Sequence, residues 1–111
     1  MTNLEILQKM RELLSDPEHW TQGERFNGVA RYCIVGAYEK VTRGQCMPSP
    51  DDTNGFDQLN ALHDEATKLL PMHSLTDLDI SFFNDQPGTT HAMILDMLDY
   101  RIAEERNNVF A

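Results

Sequence analysis

The chain has 111 residues, 41% of them hydrophobic and 24% charged, with a formal net charge of −9 at pH 7. That size and apolar share exclude wholesale disorder and point to one domain, residues 1–111, with a core that needs no metal or disulfide support. Residues 1–50 carry six basic and six acidic side chains, whereas residues 51–111 carry three and twelve; so acidic a surface argues against direct nucleic-acid contact and against an anionic membrane.

Thr2-Asn3-Leu4-Glu5 has the form of a capping box, and Leu4, Ile6, Leu7, Met10, Leu13 and Leu14 follow as one apolar stripe. Asp16-Pro17 ends that helix, because proline cannot extend the ladder and the residue before it avoids helical angles. The same pair suits the start of a new turn carrying Glu18, His19 and Trp20. Thr21 to Gly28 reads as a loop with turn signals at Gly23 and Asn27-Gly28. A second helix is expected from Val29 to Val41, with Cys33, Ile34 and Ala37 on its apolar face. Gly36 lies inside it. A helical glycine costs about 1 kcal/mol relative to alanine, so its presence suggests close approach of another segment.

Residues 42–54, with Gly44, Pro48 and Pro50, read as a surface loop. A third helix follows from Gly55 to Leu70, ended by Pro71, with Phe56, Leu59, Leu62, Ala66 and Leu69 on one face. Leu75 to Phe83 alternate imperfectly, so that Ile80 to Phe83 reads as a short extended piece, and Asn84-Asp85-Gln86-Pro87-Gly88 reads as turn chemistry. The last helix runs from Thr89 or Thr90 to Arg106, with a stripe of His91, Ile94, Leu95, Leu98 and Ile102. The expected fold is all-α: a compact bundle or orthogonal array of about four helices with short irregular joints.

Two cysteines, Cys33 and Cys46, do not make a disulfide framework, and the first residues lack a basic head and apolar run of a signal peptide. A reducing cytoplasm is the expected compartment. Polar side chains concentrate before the last helix. Asn84, Asp85, Thr90 and His91 suit either a capped entry to that helix or a binding cluster at its positive end. Cys33 as nucleophile, His91 as base and Asp85 or Asn84 as orienting group would form a catalytic set, though buried cysteine more often serves as an apolar filler. Trp20 reads as a core plug with its indole N–H bonded, or as the wall of a pocket. The four histidines fall in no metal-ligand spacing, His63-Asp64 lacks companions for a metal phosphohydrolase, and no cofactor motif is present.

Read together, Trp20-Thr21-Gln22-Gly23, Cys33-Ile34-Val35-Gly36-Ala37 and Phe83-Asn84-Asp85 with Thr89-Thr90-His91 resemble a family of small bacterial and phage proteins of unknown function. Its members pair a Trp-x-x-Gly segment with a Cys-x-x-Gly-Ala helix, then an Asn-Asp turn leading into a final amphipathic helix. Phe83 stands where many relatives carry Trp. The resemblance spans nearly the whole chain and implies a shared fold and a bacterial or viral setting, but no activity. The leading expectation is therefore a non-enzymatic protein-binding or regulatory module, partnered by another protein, with a homo-oligomer left open. The alternative is a small enzyme or ligand-binding protein whose pocket uses Trp20, Cys33, Asn84, Asp85 and His91.

Overall fold

A computed structural model describes residues 1–27, 30–47, 53–70 and 80–109. Its elements in chain order are α1 (Asn3–Leu13), a 3₁₀ turn (Pro17–His19), α2 (Ile34–Arg43), α3 (Thr53–Leu69), α4 (Ile80–Asp85) and α5 (His91–Val109). Among the described residues β structure is limited to two isolated bridges, so the expected all-α class holds.

Thr2 starts α1 as its spacing with Glu5 predicts. The Glu5 amide donates to the Thr2 hydroxyl at 3.1 Å, and the Thr2 amide donates back to the Glu5 carboxylate at 3.3 Å. Asp16 accepts from the Glu18 amide at 2.9 Å and Pro17 takes the first position of the 3₁₀ turn, as expected.

The second helix departs from expectation. It begins at Ile34, not Val29, because the residues before it are spent on extended pairing. The Tyr32 amide donates to the His19 carbonyl at 2.8 Å and the Thr21 amide to the Tyr32 carbonyl at 3.1 Å. The Cys33 amide donates to the Arg25 carbonyl at 3.0 Å. Tyr32 thus bridges to both Trp20 and Phe26, and Cys33 becomes the N-cap, its sulfur accepting from the Gly36 amide at 3.4 Å. The helix runs two residues past Val41 and closes at Gly44, whose φ of +81° is left-handed and suits glycine.

Of the expected 42–54 loop, Thr42 and Arg43 belong to α2, Gly44–Met47 turn back along that helix, and Thr53 and Asn54 belong to α3. Positions 48–52 lie outside the described residues, as do Pro71 and the stretch from Leu75 to Asp79. Ile80–Phe83 is helical, not extended. The apparent alternation misled because Ile80 and Asn84, four apart, are the buried pair, while Phe82 is half exposed. The last helix begins at His91, capped by the Thr90 hydroxyl, which accepts from the Met93 amide at 3.3 Å, and it continues three residues past Arg106.

The helix α1 packs on α2 and α5, and α2 packs also on α3 and α4. The central position of α2 explains why Ile34 through Glu39 are all buried. Leu7, Met10 and Leu14 of the first stripe meet Ile94, Leu98 and Ile102 of the last, and Leu62, Ala66, Leu69, Leu70 and Ile80 close the core against α2. Each fully buried aliphatic side chain of this kind contributes roughly 1.5–3 kcal/mol.

Candidate functional site

Asn84 is fully buried at the end of α4, where an amide must satisfy two donors and two acceptor sites or weaken the fold. It satisfies all four. Its Oδ1 accepts from the Trp20 indole Nε1 at 2.8 Å and from the Ile34 amide at 3.1 Å. Its Nδ2 donates to the Thr21 carbonyl at 3.1 Å and to Asp85 Oδ1 at 3.0 Å. One side chain therefore joins the Trp20–Thr21 loop, the first amide of α2 and the end of α4.

The same loop holds α4 from outside. The Gln22 side-chain amide donates to the carbonyls of Asn84 and Gln86, each at 2.9 Å, satisfying acceptors that a helix end leaves open. Asp85 Oδ1 accepts from the Gly23 amide at 2.9 Å, and Gly23 has a φ of +80°, which a side chain would strain. Gly36 meets the loop from the other direction. A Cβ there would lie 1.9 Å from the Arg25 carbonyl oxygen, so the close approach its position suggests is real.

Arg25 anchors the loop to α2 with its side chain as well. Its Nη1 lies 2.5 Å from Glu39 Oε1, with only 10% and 4% of the two side chains exposed. The guanidinium also donates to the Met47 carbonyl, and Glu39 Oε2 accepts from the Met47 amide at 3.3 Å. The charge of a buried glutamate is thus compensated by a partner, as burial of a charge requires.

The expected catalytic and binding residues divide. Trp20, Asn84 and Asp85 meet in the clamp. The His91 ring lies beside Trp20, centroids 6.1 Å apart, and its Nε2 donates to the Leu14 carbonyl at 2.6 Å, tying α5 to the end of α1. Thr90 serves as the cap of α5, whereas Asn84 and Asp85 face the Trp20–Gly23 loop instead of capping that helix. Burial pushes the Cys33 thiol up to about 11, and this outweighs the lowering effect of the Gly36 amide; the group is a thiol at neutral pH, unlike an activated nucleophile.

Beside the clamp lies an open cleft of about 370 Å³. The loop supplies Gly23 to Phe26, α3 supplies Leu59 and His63, and α4 supplies Ser81 and Asp85, with Cys33 beneath. Both helical pairs are four residues apart, the spacing that puts two side chains on one face. Ser81 Oγ and His63 Nδ1 are 3.5 Å apart, longer than the roughly 2.6–3.2 Å of a base in reach of a hydroxyl proton. Among the described residues no three His, Cys, Asp or Glu side chains converge as metal ligands would. No helix among them is long and apolar enough to cross a membrane.

Sequence reasoning gave no site role to Gln22, Arg25, Glu39, Leu59 or Ser81. The Arg25–Glu39 pair joins a loop to a helix and follows no local spacing. Gln22 offered one signal, its place between Trp20 and a turn glycine.

The fold and clamp define a small all-helical protein whose first interhelical loop is bonded into the ends of two helices. The chain belongs to a family of unknown function, DUF6197, whose model matches residues 1–104. No curated protein and no solved structure matches it.

Proposed function

We propose that the protein is a non-enzymatic binding module, regulatory in role, that docks another protein at the cleft between the Gly23–Phe26 loop and helices α3 and α4. One observation carries this reading: the side chains best suited to chemistry are committed to internal bonds, while the cleft beside them is open. Asn84 uses its whole hydrogen-bonding capacity inside the clamp. The helices that border the cleft expose aromatic rings, Phe56 on α3 at 52% and Phe82 on α4 at 50%. Phe56 precedes the lining residue Leu59 by one helical turn. Apolar rings of this kind are common anchors of protein interfaces.

The charge adds the partner's chemistry. Glu24 and Asp85 line the cleft, and the deficit of the whole chain lies in residues 51–111. A partner segment with an apolar anchor and basic neighbours fits such a surface. In the bacterial or phage setting that the sequence resemblance implies, blocking a host protein is one version of this role.

The test is site-specific photocrosslinking from cells that naturally make the protein. A photoreactive residue at position 56 or 82 should capture a discrete partner, and one at Tyr100, 59% exposed on α5, should not. Capture at none of these positions, or equal capture at all three, overturns the reading. The rival is a small-ligand site. The cleft volume falls in the range of about 300–1,000 Å³ typical of such sites, and of the expected pocket residues Cys33 and Asp85 line it. Ligand-induced stabilisation that Ser81→Ala abolishes, without protein capture, would favour that rival.

A further inference from the structure

A second hollow, of about 160 Å³, shares Phe26 with the cleft but has the opposite charge. Its charged lining residues are Arg31 and Lys40, with Phe26 and Tyr32 as aromatic walls and Gln45 and Cys46 beside them. This is notable in a chain with twice as many acidic as basic residues, 18 against 9. Four of the arginines are spent on carboxylates: Arg11 on Asp99, Arg25 on Glu39, Arg43 on Glu65, and Arg101 on Glu104 and Glu105. Arg31 has no such partner among the described residues, although its planar fork is the side chain best shaped to hold a carboxylate or phosphate. Lys40 donates once, to the Gly44 carbonyl at 2.9 Å, which leaves two of its three N–H groups to bond elsewhere.

Among the described residues no carboxylate forms an ion pair with Arg31 or Lys40. The carboxylate that bears on Cys46 is Glu39, and Arg25 neutralises it at 2.5 Å. The Cys46 thiol, pushed up to about 12 by burial first and then by Glu39, carries no charge at neutral pH. The net charge of the molecule is screened beyond about 8 Å at physiological ionic strength, so the two adjacent cations dominate locally.

We infer that this hollow binds the oxyanion end, phosphate or carboxylate, of a small ligand: Arg31 and Lys40 hold the charge, and Phe26 and Tyr32 pack against the attached group. Its volume equals that of about five waters at roughly 30 Å³ each, enough for one oxyanion and a short body. The site shares no charged residue with the proposed docking cleft and stands independently of it.

The experiment is an amide NMR titration of the full chain with sodium phosphate, and separately with sodium acetate, at ionic strength held constant with chloride. Saturable shifts at Arg31, Tyr32, Gln45 and Cys46 are expected with at least one anion. Tighter phosphate binding assigns the ligand to phosphates, and tighter acetate binding assigns it to carboxylates. Arg31→Gln should weaken binding about tenfold or more, and Lys40→Gln should act in the same direction. Arg106→Gln, on α5, should leave it unchanged. Absence of saturable shifts with both anions, or shifts equally strong in the Arg31→Gln and Lys40→Gln proteins, overturns the inference.

Discussion

The indole nitrogen of Trp20 donates to Asn84 Oδ1 at 2.8 Å across 64 positions of sequence, and that oxygen also accepts the first amide of α2. A single carbonyl oxygen therefore fixes the register of a loop against two helices.

Asn84→Ala should be among the most damaging single substitutions. It leaves the buried Ile34 amide and the part-buried Trp20 indole and Thr21 carbonyl without their partner. Buried groups stranded in this way cost about 1–3 kcal/mol each, so a loss on the order of 3–5 kcal/mol is expected. Urea unfolding followed by the fluorescence of Trp20, the sole tryptophan, measures it directly. A change below about 1 kcal/mol would refute the role of Asn84 as the hub.

Gly36→Ala tests the contact from the other side. Helix propensity alone predicts a gain of about 1 kcal/mol. The Arg25 carbonyl oxygen, 1.9 Å from the new Cβ, is backbone and must move, and overpacking of this sort costs about 1–3 kcal/mol or more. The clash wins, and the thermal midpoint should fall by several degrees. A rise in that midpoint would mean that the loop does not press on α2.

The Arg25–Glu39 pair should behave as a unit. Removing either partner leaves a buried charge alone and should cost about 3–5 kcal/mol. Replacing both, as Arg25→Met with Glu39→Leu, should recover a large part of that loss. A double-mutant cycle by chemical denaturation gives the coupling, and additive losses would contradict it.

Alkaline pH should destabilise the protein through its thiols. The folded state holds Cys33 at about 11 and Cys46 at about 12, against an ordinary value of 9.0. Folded-state values raised in this way give stability that is complete below about pH 9 and is lost as pH rises through 11 to 12. For buried Cys33 the amount is on the order of 3 kcal/mol. Tyr38, raised by burial and by Glu65, acts with the same sign. Cys33→Ala should flatten this alkaline limb. Iodoacetamide at pH 8 should label buried Cys33 quickly only after urea unfolds the chain, and rapid labelling of Cys33 in the native protein would contradict its burial.

The sequence made legible whatever follows a local rule. The Thr2–Glu5 box, the Asp16-Pro17 turn and the stripes of α1 and α5 lie where spacing puts them, because each depends on neighbours within one or two turns. Gly36 was legible as a close approach, though not its partner. What failed was decided at a distance. Val29 to Cys33 continues the apolar period of α2, yet the described part of it pairs with residues 19–27, and that competition has no trace in a helical window. Asn84 and Asp85 carry the composition of a helix cap, but the loop and helix groups they bond lie 50 or more positions upstream. For Ile80–Phe83, four residues were too few to separate a period of 2 from one of 3.6.

The loop from Trp20 to Phe26 is bonded at one end to α4 and at the other to α2, and Phe26 forms a wall of both hollows. A surface built this way is preorganised. Whatever arrives there gives up its own freedom but need not supply the ordering entropy of the loop, which folding has already met. Association at either hollow should therefore be quick and leave the backbone of that loop where it stands in the free protein.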